Sequence, residues 1–261
     1  LVLNDTAVSD AGLDTLAALT SLRLLELKNT RVTADGLKRL RAALPNCKIE
    51  WSPGVARLLP ADGWADALAL LDPKADHVDG VGTWVRGKDG FEGAHDRAGN
   101  GVLLRLPLTV TGDYELEVQF TQTEATGSGV LVNVPVGPDR GVAVMLAFSG
   151  KAGLEHIDQK DMLSNGTVRD FSPKADRRYT AVVRVTTRPG EATIGVSVDG
   201  APLLAWTGDP THLANLTGRF APAAIDLGFS PPGKLVIHSA RLRILGGEAR
   251  FTRPAELPKK P

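Results

Sequence analysis

Residues 179–208 constrain the fold of this chain more than any other stretch. Apolar and polar side chains alternate strictly over residues 179–186 and again over residues 192–198. Such alternation predicts antiparallel strands with one buried face and one wetter face. A third run follows Asp199-Gly200, a strong hairpin signal because glycine accepts a positive φ without steric cost. The stretch therefore predicts the centre of a β-sandwich.

Further short strands are predicted along the rest of the chain. They cover residues 82–87, 102–106, 114–121, 130–136, 142–148, 154–157, 225–229 and 235–245. Together with the run above they number about a dozen, which is too many for an immunoglobulin-type sandwich and suits a two-sheet jelly roll. We therefore predict a mainly β protein, with a two-sheet jelly-roll sandwich over residues 81–247.

The first fifty residues contain an internal repeat. Leu3, Thr6, Val8, Gly12, Leu13 and Leu16 recur 24 residues later as Leu27, Thr30, Val32, Gly36, Leu37 and Leu40. Strand–turn–helix repeats of this length are typical of leucine-rich-repeat solenoids. We predict a short α/β leucine-rich-repeat fragment of about two and a half repeats over residues 1–51. Cys47 is expected at the inward strand position held by Leu25, as a small buried hydrophobe.

Residues 52–80 are predicted as a linker with a short helix over residues 64–71, and residues 248–261 as a tail. Thirty basic and thirty acidic residues give no net charge, so nothing indicates nucleic acid as a partner. No apolar run is long enough to cross a membrane, so no membrane insertion is expected for this stretch. Because the chain opens inside a repeat, we expect it to be part of a longer protein, with any targeting segment upstream.

Several segments carry a family resemblance: DYELEVQFTQ, GLEHIDQKD, RRYTAVVRV, VSVDGAPLLAWTGD and KLVIHSARLRIL. Over residues 64–246 the chain resembles the concanavalin A-like lectin/glucanase superfamily, and within it the laminin G-like and 3-keto-disaccharide-hydrolase-like domains. Repeats that end in LPNCKIEW ahead of such a domain are similar to those of bacterial multidomain surface proteins. The resemblance implies a glycan or protein ligand and an extracytoplasmic location, at the cell surface or in the periplasm. It carries over no catalytic residue.

Residues 153–167 form the densest polar stretch of the predicted sandwich. Its candidate ligand-binding residues are Glu155, His156, Asp158, Lys160, Asp161 and Asn165. Oxygen atoms of Asp158, Asp161 and Asn165 could surround calcium, whose ligands tolerate irregular loops, or could bind sugar hydroxyls. A solvated loop with local side-chain to backbone bonds explains the same residues. The spacing does not match an EF-hand, and no other metal or cofactor is indicated.

Sugar rings stack on exposed aromatic side chains, and Trp84 and Trp206 are the candidates, with Arg140 or Lys160 as hydrogen-bond donors. Burial in the sandwich core is the alternative for both tryptophans.

A glycosidase needs two carboxyl groups across a cleft. Glu155 could pair with Asp158 or Glu117, and Glu115 and Glu117 have the two-residue spacing of the resembling glucanases. Charges alternating on a solvated face explain that pair without catalysis. The sequence therefore favours a non-catalytic recognition module that binds a glycan or a protein partner. A glycoside-cleaving enzyme and a structural cap of the solenoid are the alternatives.

Overall fold

The computed structural model describes residues 1–4, 6, 8–30, 32–53, 63–78, 82–95, 101–123, 129–137, 139–214, 223–230 and 232–252. The chain divides into two compact units, Leu1–Ala65 with Ala249–Pro261, and Asp66–Glu248. Residues 54–62, 79 and 80 of the predicted linker and the end of the predicted tail lie outside the described residues. None of the helices in the described ranges has the length and apolar character needed to cross a bilayer.

The first unit contains helix α1 (Leu13–Ala17), strand β1 (Leu24–Thr30), helix α2 (Ala34–Ala43) and strand β2 (Lys48–Pro53). The two strands pair in parallel with Leu25 opposite Ile49, and Val2 forms a parallel bridge to Glu26. Leucines of the helices and strands fill one apolar core. The prediction for Cys47 was wrong in register, because Ile49 takes the position equivalent to Leu25 and Cys47 precedes the strand.

The polar side chains of these strands pair with one another. Lys28 and Lys48 each place Nζ 2.7 Å from a carboxylate oxygen of Glu50. These two hydrogen-bonded ammonium groups lower the pKa of Glu50 to about 2. The charges of this strand surface are therefore largely compensated within it.

The remaining strands are β3 (Ala65–Asp66), β4 (His77–Val78), β5 (Thr83–Gly87), β6 (Gly90–His95), β7 (Val102–Gln122), β8 (Val130–Pro135), β9 (Gly141–Phe148), β10 (Lys151–Leu154), β11 (Arg169–Asp170), β12 (Arg178–Arg188), β13 (Glu191–Val198), β14 (Ala201–Gly208), β15 (Ala224–Phe229) and β16 (Gly233–Phe251). In place of the predicted helix over residues 64–71 there is a single 3-10 turn, Leu68–Leu70. Asp66 accepts a hydrogen bond from the backbone N–H of Ala69 at 3.1 Å, and this side-chain bond favours a tight turn over a helix.

The strands form an antiparallel β-sandwich whose two layers share β7. The first half of β7 joins sheet A, in the order β11-β10-β9-β8-β15-β7. Its second half joins sheet B, which continues through β12, β13 and β14 on one side and through β16, β6 and β5 on the other. The sequence predicted two strands here, whereas Gly112, with φ of 82°, bends one strand without ending it. A Cβ at Gly112 would lie 2.4 Å from the carbonyl oxygen of Gly246, so the bend excludes a side chain.

The two layers pack face to face through apolar side chains. Tyr114 on sheet B donates a hydrogen bond to the carbonyl oxygen of Pro135 on sheet A at 2.7 Å. Strands β8 and β15 are buried along their whole length, so both faces of sheet A are covered. On its outer face, Met162 from the loop after β10 packs with Leu131 and Met145. This loop carries most of the side chains singled out in the sequence.

Candidate ligand-binding site on the outer face of sheet A

Three adjacent strands of sheet A each carry one polar residue within an apolar run. In register, Asp226 on β15 lies opposite Arg105 on β7 and opposite Asn133 on β8. Arg105 Nε donates to Asp226 Oδ1 at 2.7 Å, and Asn133 Nδ2 donates to Asp226 Oδ2 at 3.3 Å. Asp226 and Asn133 are fully buried, so the guanidinium and the amide replace water around the carboxylate. These residues form the polar row.

The polar row extends to the edge of the sheet. Ala143 on β9 lies opposite Asn133, and the N–H of Glu155 donates to the carbonyl oxygen of Ala143 at 2.9 Å. By register Glu155 therefore falls on the same face as Asn133. Asn133 Oδ1 is buried and has no hydrogen-bond partner in the described part of the chain. The row thus offers a buried acceptor at its centre and a carboxyl group at its end.

Glu155 is half-buried where the loop leaves β10. Burial is the main cause that raises its pKa, and the negative charge of Asp161 acts in the same direction. The positive charge of His156 and a hydrogen bond from the backbone N–H of Met162 oppose that rise. Glu155 therefore holds a proton to a higher pH than an exposed glutamate.

The loop after Glu155 adopts an uncommon backbone conformation. His156, Asp158 and Gln159 have φ of 55°, 52° and 61°, in the left-handed region that non-glycine residues rarely occupy. Each such residue costs on the order of 1 kcal/mol, so the surrounding structure must hold it in place. The segment over residues 212–214 supplies that restraint.

Two backbone hydrogen bonds and one ion pair join the loop to this segment. The N–H of Asp158 donates to the carbonyl oxygen of His212 at 2.9 Å, and the N–H of Ala214 donates to that of His156 at 3.0 Å. Asp158 Oδ1 lies 2.7 Å from His212 Nδ1, with both side chains about half exposed. The restraints fix the loop without covering its polar side chains.

Arg140 is brought to the same place from sheet A. Its Nη1 donates to the carbonyl oxygen of Leu213 at 3.4 Å, and Leu213 forms a bridge with Ile157 of the loop. The side chain of Lys160 is exposed and has no polar partner among the described residues. We call Arg140, Glu155, His156, Asp158, Lys160 and His212 the loop cluster.

The remaining polar residues of the loop hold the loop together. Asn165 Nδ2 donates to the carbonyl oxygen of Leu154 at 2.6 Å, while its Oδ1 accepts from the backbone and the hydroxyl of Thr167. Asp161 Oδ1 accepts from the backbone N–H and the hydroxyl of Ser164. Both residues therefore stabilise the loop from within.

The calcium set expected from the sequence does not fit these contacts. Oxygen atoms of Asp161 and Asn165 already accept bonds from protein donors, and an oxygen of Asp158 faces His212. Within the described ranges, no group of three or more His, Cys, Asp or Glu residues could hold a metal ion. At least one side-chain oxygen of each residue in the expected calcium set is therefore already paired within the protein.

The two tryptophans do not join the loop cluster. Trp84 is buried and packs edge-on against Phe229 with ring centroids 5.9 Å apart, which fits the core position considered as the alternative for it. Its Nε1 has no hydrogen-bond partner among the described residues. Trp206 is half-buried on β14 of sheet B, opposite Ile194, and is therefore separate from the loop on sheet A.

Glu115 and Glu117, the acid pair with glucanase-like spacing, are ion-paired. Arg243 Nε donates to Glu115 at 3.0 Å, and Arg241 Nη2 lies 2.8 Å from Glu117. Each carboxylate of the pair is therefore already paired with a guanidinium within the sheet. The pair therefore fits a charged sheet surface, the alternative considered for it in the sequence.

Sequence reasoning missed Arg105, Asn133, Asp226 and His212. The first three had a usable signal, since each is the single polar residue inside an apolar strand sequence: VLLRLPL, VLVNVPV and AIDLGF. A polar residue at such a position must find a partner inside the protein. His212 had no comparable signal, because its contact with Asp158 joins segments far apart in the chain.

Comparison with known proteins gives matches to solved structures only. No protein-family model matches the chain, and no curated protein sequence matches it. A Bacillus subtilis protein of unknown function with a galectin-like fold matches with a TM-score of 0.48 and 12% identity, covering 75% of this chain and 95% of that chain. An apo Crh5 transglycosylase matches with a TM-score of 0.47 and 15% identity, over 70% of this chain and 84% of that chain.

A legume lectin-like domain from Entamoeba histolytica matches with a TM-score of 0.45 and 11% identity, over 68% of this chain and 95% of that chain. All three TM-scores are below 0.5.

Proposed function

We propose that this chain is a non-catalytic recognition module that binds a glycan through the loop cluster. The observation that carries the proposal is the strained loop of His156, Asp158 and Gln159, held in place by two backbone bonds to residues 212–214. Strained backbone of this kind is concentrated at ligand-binding and active sites. Here it places charged and polar side chains side by side at the surface.

The chemistry of the loop cluster suits sugar hydroxyls, which both donate and accept hydrogen bonds. Arg140 and Lys160 are donors, and Glu155 and Asp158 are acceptors when charged. Hydrogen bonds to charged groups are about twice as strong as neutral ones, so a few of them can orient a polar ligand. Asp158 also pairs with His212, which leaves its second oxygen for a ligand.

We assign the sandwich to the concanavalin A-like jelly rolls and the first unit to the leucine-rich repeats. The antiparallel strand order, with one long strand shared by both layers, supports the first assignment. The parallel β1–β2 pair and the 24-residue sequence repeat support the second. An extracytoplasmic location follows from the resemblance of these domains to surface proteins.

A glycan array probed with the 261-residue chain tests the proposal. We expect binding to a defined set of sugars, weakened about fivefold to tenfold by Lys160→Ala or Arg140→Ala through loss of one charged hydrogen bond. Lys174→Ala, the same change at an exposed site without a side-chain partner in the described ranges, serves as the matched control. Binding to no sugar, or binding that neither loop variant weakens, contradicts the proposal.

A second candidate function is glycoside cleavage, favoured by the raised pKa of Glu155. A raised pKa favours the protonated form of the carboxyl group, which is the form a general acid needs. Turnover of disaccharides or 3-keto-disaccharides that is lost in Glu155→Gln would support this function. Absence of turnover across both substrate classes, with sugar binding intact, leaves recognition as the function.

A further inference from the structure

The outer face of sheet B carries a group of arginines, which we call the arginine face. They lie on β12 and β16 and are Arg178, Arg184, Arg188, Arg241 and Arg243. Arg178 pairs with Asp89, whose side chain is 67% exposed, but the other carboxylate partners lie on β7 and are less exposed than the arginines. The side chain of Glu115 is 11% exposed, against 60% for Arg184. Likewise Glu117 is 12% exposed against 37% for Arg241. The guanidinium groups therefore form the surface that a partner would contact.

The centre of the arginine face has an excess of positive charge. Glu115 is shared by two arginines: Arg243 Nε donates to its Oε2 at 3.0 Å, and Arg184 Nη1 lies 3.6 Å from its Oε1. The Arg184 contact is too long for a hydrogen bond, and it is the one polar contact of that side chain within the described ranges. Glu115 is thus hydrogen-bonded to Arg243, and the guanidinium of Arg184 keeps N–H donors for the anionic group of a ligand.

Beside Arg184 the sheet surface is open and lined with hydroxyl groups. In register, Arg184 lies opposite Gly195 on β13, and Gly195 lies opposite Ala205 on β14. A Cβ at Gly195 would meet no atom within 4 Å. Thr193 and Thr207, the next pair on this face, have hydroxyl oxygens 2.9 Å apart. The apolar face of a sugar ring fits over Gly195 and Ala205 while an acidic group of the same sugar contacts Arg184.

We propose that the arginine face binds an acidic polysaccharide, whose carboxylate or sulfate groups contact Arg184 and whose ring lies over Gly195 and Ala205. Guanidinium groups match such anions through paired, planar hydrogen bonds. This site lies on the opposite layer from the loop cluster and does not depend on glycan binding there. It adds an anionic ligand class to the polar sugars expected at sheet A.

Nucleic acid fits the arginine face less well than an acidic glycan. Single-stranded nucleic acids bind through aromatic side chains that stack on the bases. The aromatic rings of the neighbouring strands, Tyr114, Phe120 and Tyr179, are buried on the opposite face of the sheet. The zero net charge of the chain also gives no long-range attraction for a highly charged duplex.

Titration with an oligogalacturonate, its methyl ester and a sulfated dextran tests the proposal with the whole chain. We expect binding of the free acid or the sulfated polymer, no measurable binding of the methyl ester, and weakening as salt rises. The two charged probes distinguish carboxylate from sulfate recognition. Binding of neither charged probe, or equal binding of the ester, overturns the proposal.

Two variants locate the site. Arg184→Gln should weaken binding about tenfold, whereas Arg169→Gln, an exposed arginine next to β10 in sheet A, should not. Gly195→Glu should abolish binding, because its carboxylate would pair with Arg184 on a floor that has room for it. Equal losses in the Arg184 and Arg169 variants contradict the assignment. So does DNA binding as tight as that of the acidic glycan and equally weakened by Arg184→Gln.

Separate variants distinguish a negative result for the arginine face from a negative result for the loop cluster. Lys160→Ala should leave oligogalacturonate binding unchanged, and Arg184→Gln should leave the neutral sugars of the glycan array unchanged. A loss of both activities in either variant would contradict the separation of the two sites.

Discussion

Arg105 donates through Nε to Oδ1 of Asp226 at 2.7 Å, and the two partners differ sharply in exposure: the side chain of Asp226 is fully buried and that of Arg105 is 33% exposed. The consequences of removing either partner are therefore unequal. Without Asp226, the arginine can be hydrated from its exposed side. Without Arg105, the carboxylate remains inside the protein with a charge that water cannot reach.

We expect Arg105→Met to destabilise the chain by about 3–5 kcal/mol, the usual cost of removing one partner of a buried ion pair. Asp226→Asn should cost less, about 1–2 kcal/mol, since it loses hydrogen-bond strength but strands no charge. Urea unfolding of both variants measures the difference. A larger loss in Asp226→Asn than in Arg105→Met would contradict this account of the pair.

Asn133→Asp tests the other end of the polar row. The substitution removes the Nδ2 donor that now bonds to Asp226 Oδ2 and to the carbonyl oxygen of Ala224. It also places a second carboxyl group directly beside a buried carboxylate, which disfavours the charged form of both. We expect a loss of about 3 kcal/mol or more at neutral pH, part of it recovered at low pH where one carboxyl is protonated.

Asn133→Leu provides the matched comparison for this position. It removes the amide and its unpartnered Oδ1 together while keeping a side chain of similar size, so it should cost less than Asn133→Asp at neutral pH. Urea unfolding curves at neutral and low pH compare the free energies of unfolding of the two variants. Equal stability of the two variants at neutral pH would show that charge repulsion is not the dominant effect.

Much of the sandwich could be predicted from the sequence because alternation reports directly which face of a strand is buried. The hairpin over residues 179–208 appears as β12, β13 and β14, and the apolar run over residues 142–148 as the buried strand β9. Where the observed strands differ from the predicted ones, a contact between residues far apart in the chain sets the strand boundary. Separate strands were predicted over residues 102–106 and 114–121, whereas β7 runs through both and bends at Gly112, close to Gly246.

The candidate site was predictable only in part, because contacts between residues far apart in the chain do not appear in the sequence pattern. The loop residues from Glu155 to Asn165 stand together in the sequence, so their density was visible. Whether Asn165 faces a ligand or its own loop depends on Thr167 and Leu154, and sequence pattern does not show that geometry. The contact of Asp158 with His212 joins two loops that only the folded sheet brings together.

Glu155→Gln should change how stability depends on pH. Burial raises the pKa of Glu155 above its ordinary value of 4.5, so the folded chain holds this proton to a higher pH than the unfolded chain. Its contribution to stability is full below pH 4.5 and is lost as pH rises through the folded-state pKa. Relative to the wild type, Glu155→Gln should therefore gain stability as pH rises from 4.5 through the folded-state pKa and keep that gain at higher pH, measured by urea midpoints.

Asp170→Asn is a control of opposite sign. Its hydrogen bond from Lys151 lowers the pKa of Asp170 from 3.8, so its contribution is present above that pH and lost as pH falls. The Asp170 variant should lose stability relative to the wild type at neutral pH and converge with it in acid. A parallel response of the two variants would contradict the environment assigned to Glu155.

Replacing Trp84 should reduce the stability of the chain more than replacing Trp206, because Trp84 lies in the core and Trp206 on an edge strand. Trp84 is buried against Phe229, so Trp84→Ala should cost about 3–5 kcal/mol. Trp206 is half-buried on the edge strand β14, so Trp206→Ala should cost roughly half as much. Because neither ring lies at the loop cluster, each folded variant should bind the sugars of the glycan array as tightly as the wild type.

Trp84→Phe, which keeps an aromatic ring and removes the unpartnered Nε1, should be the mildest change at that site. Reduced sugar binding by a folded Trp206 variant would move the glycan site from the loop cluster to sheet B.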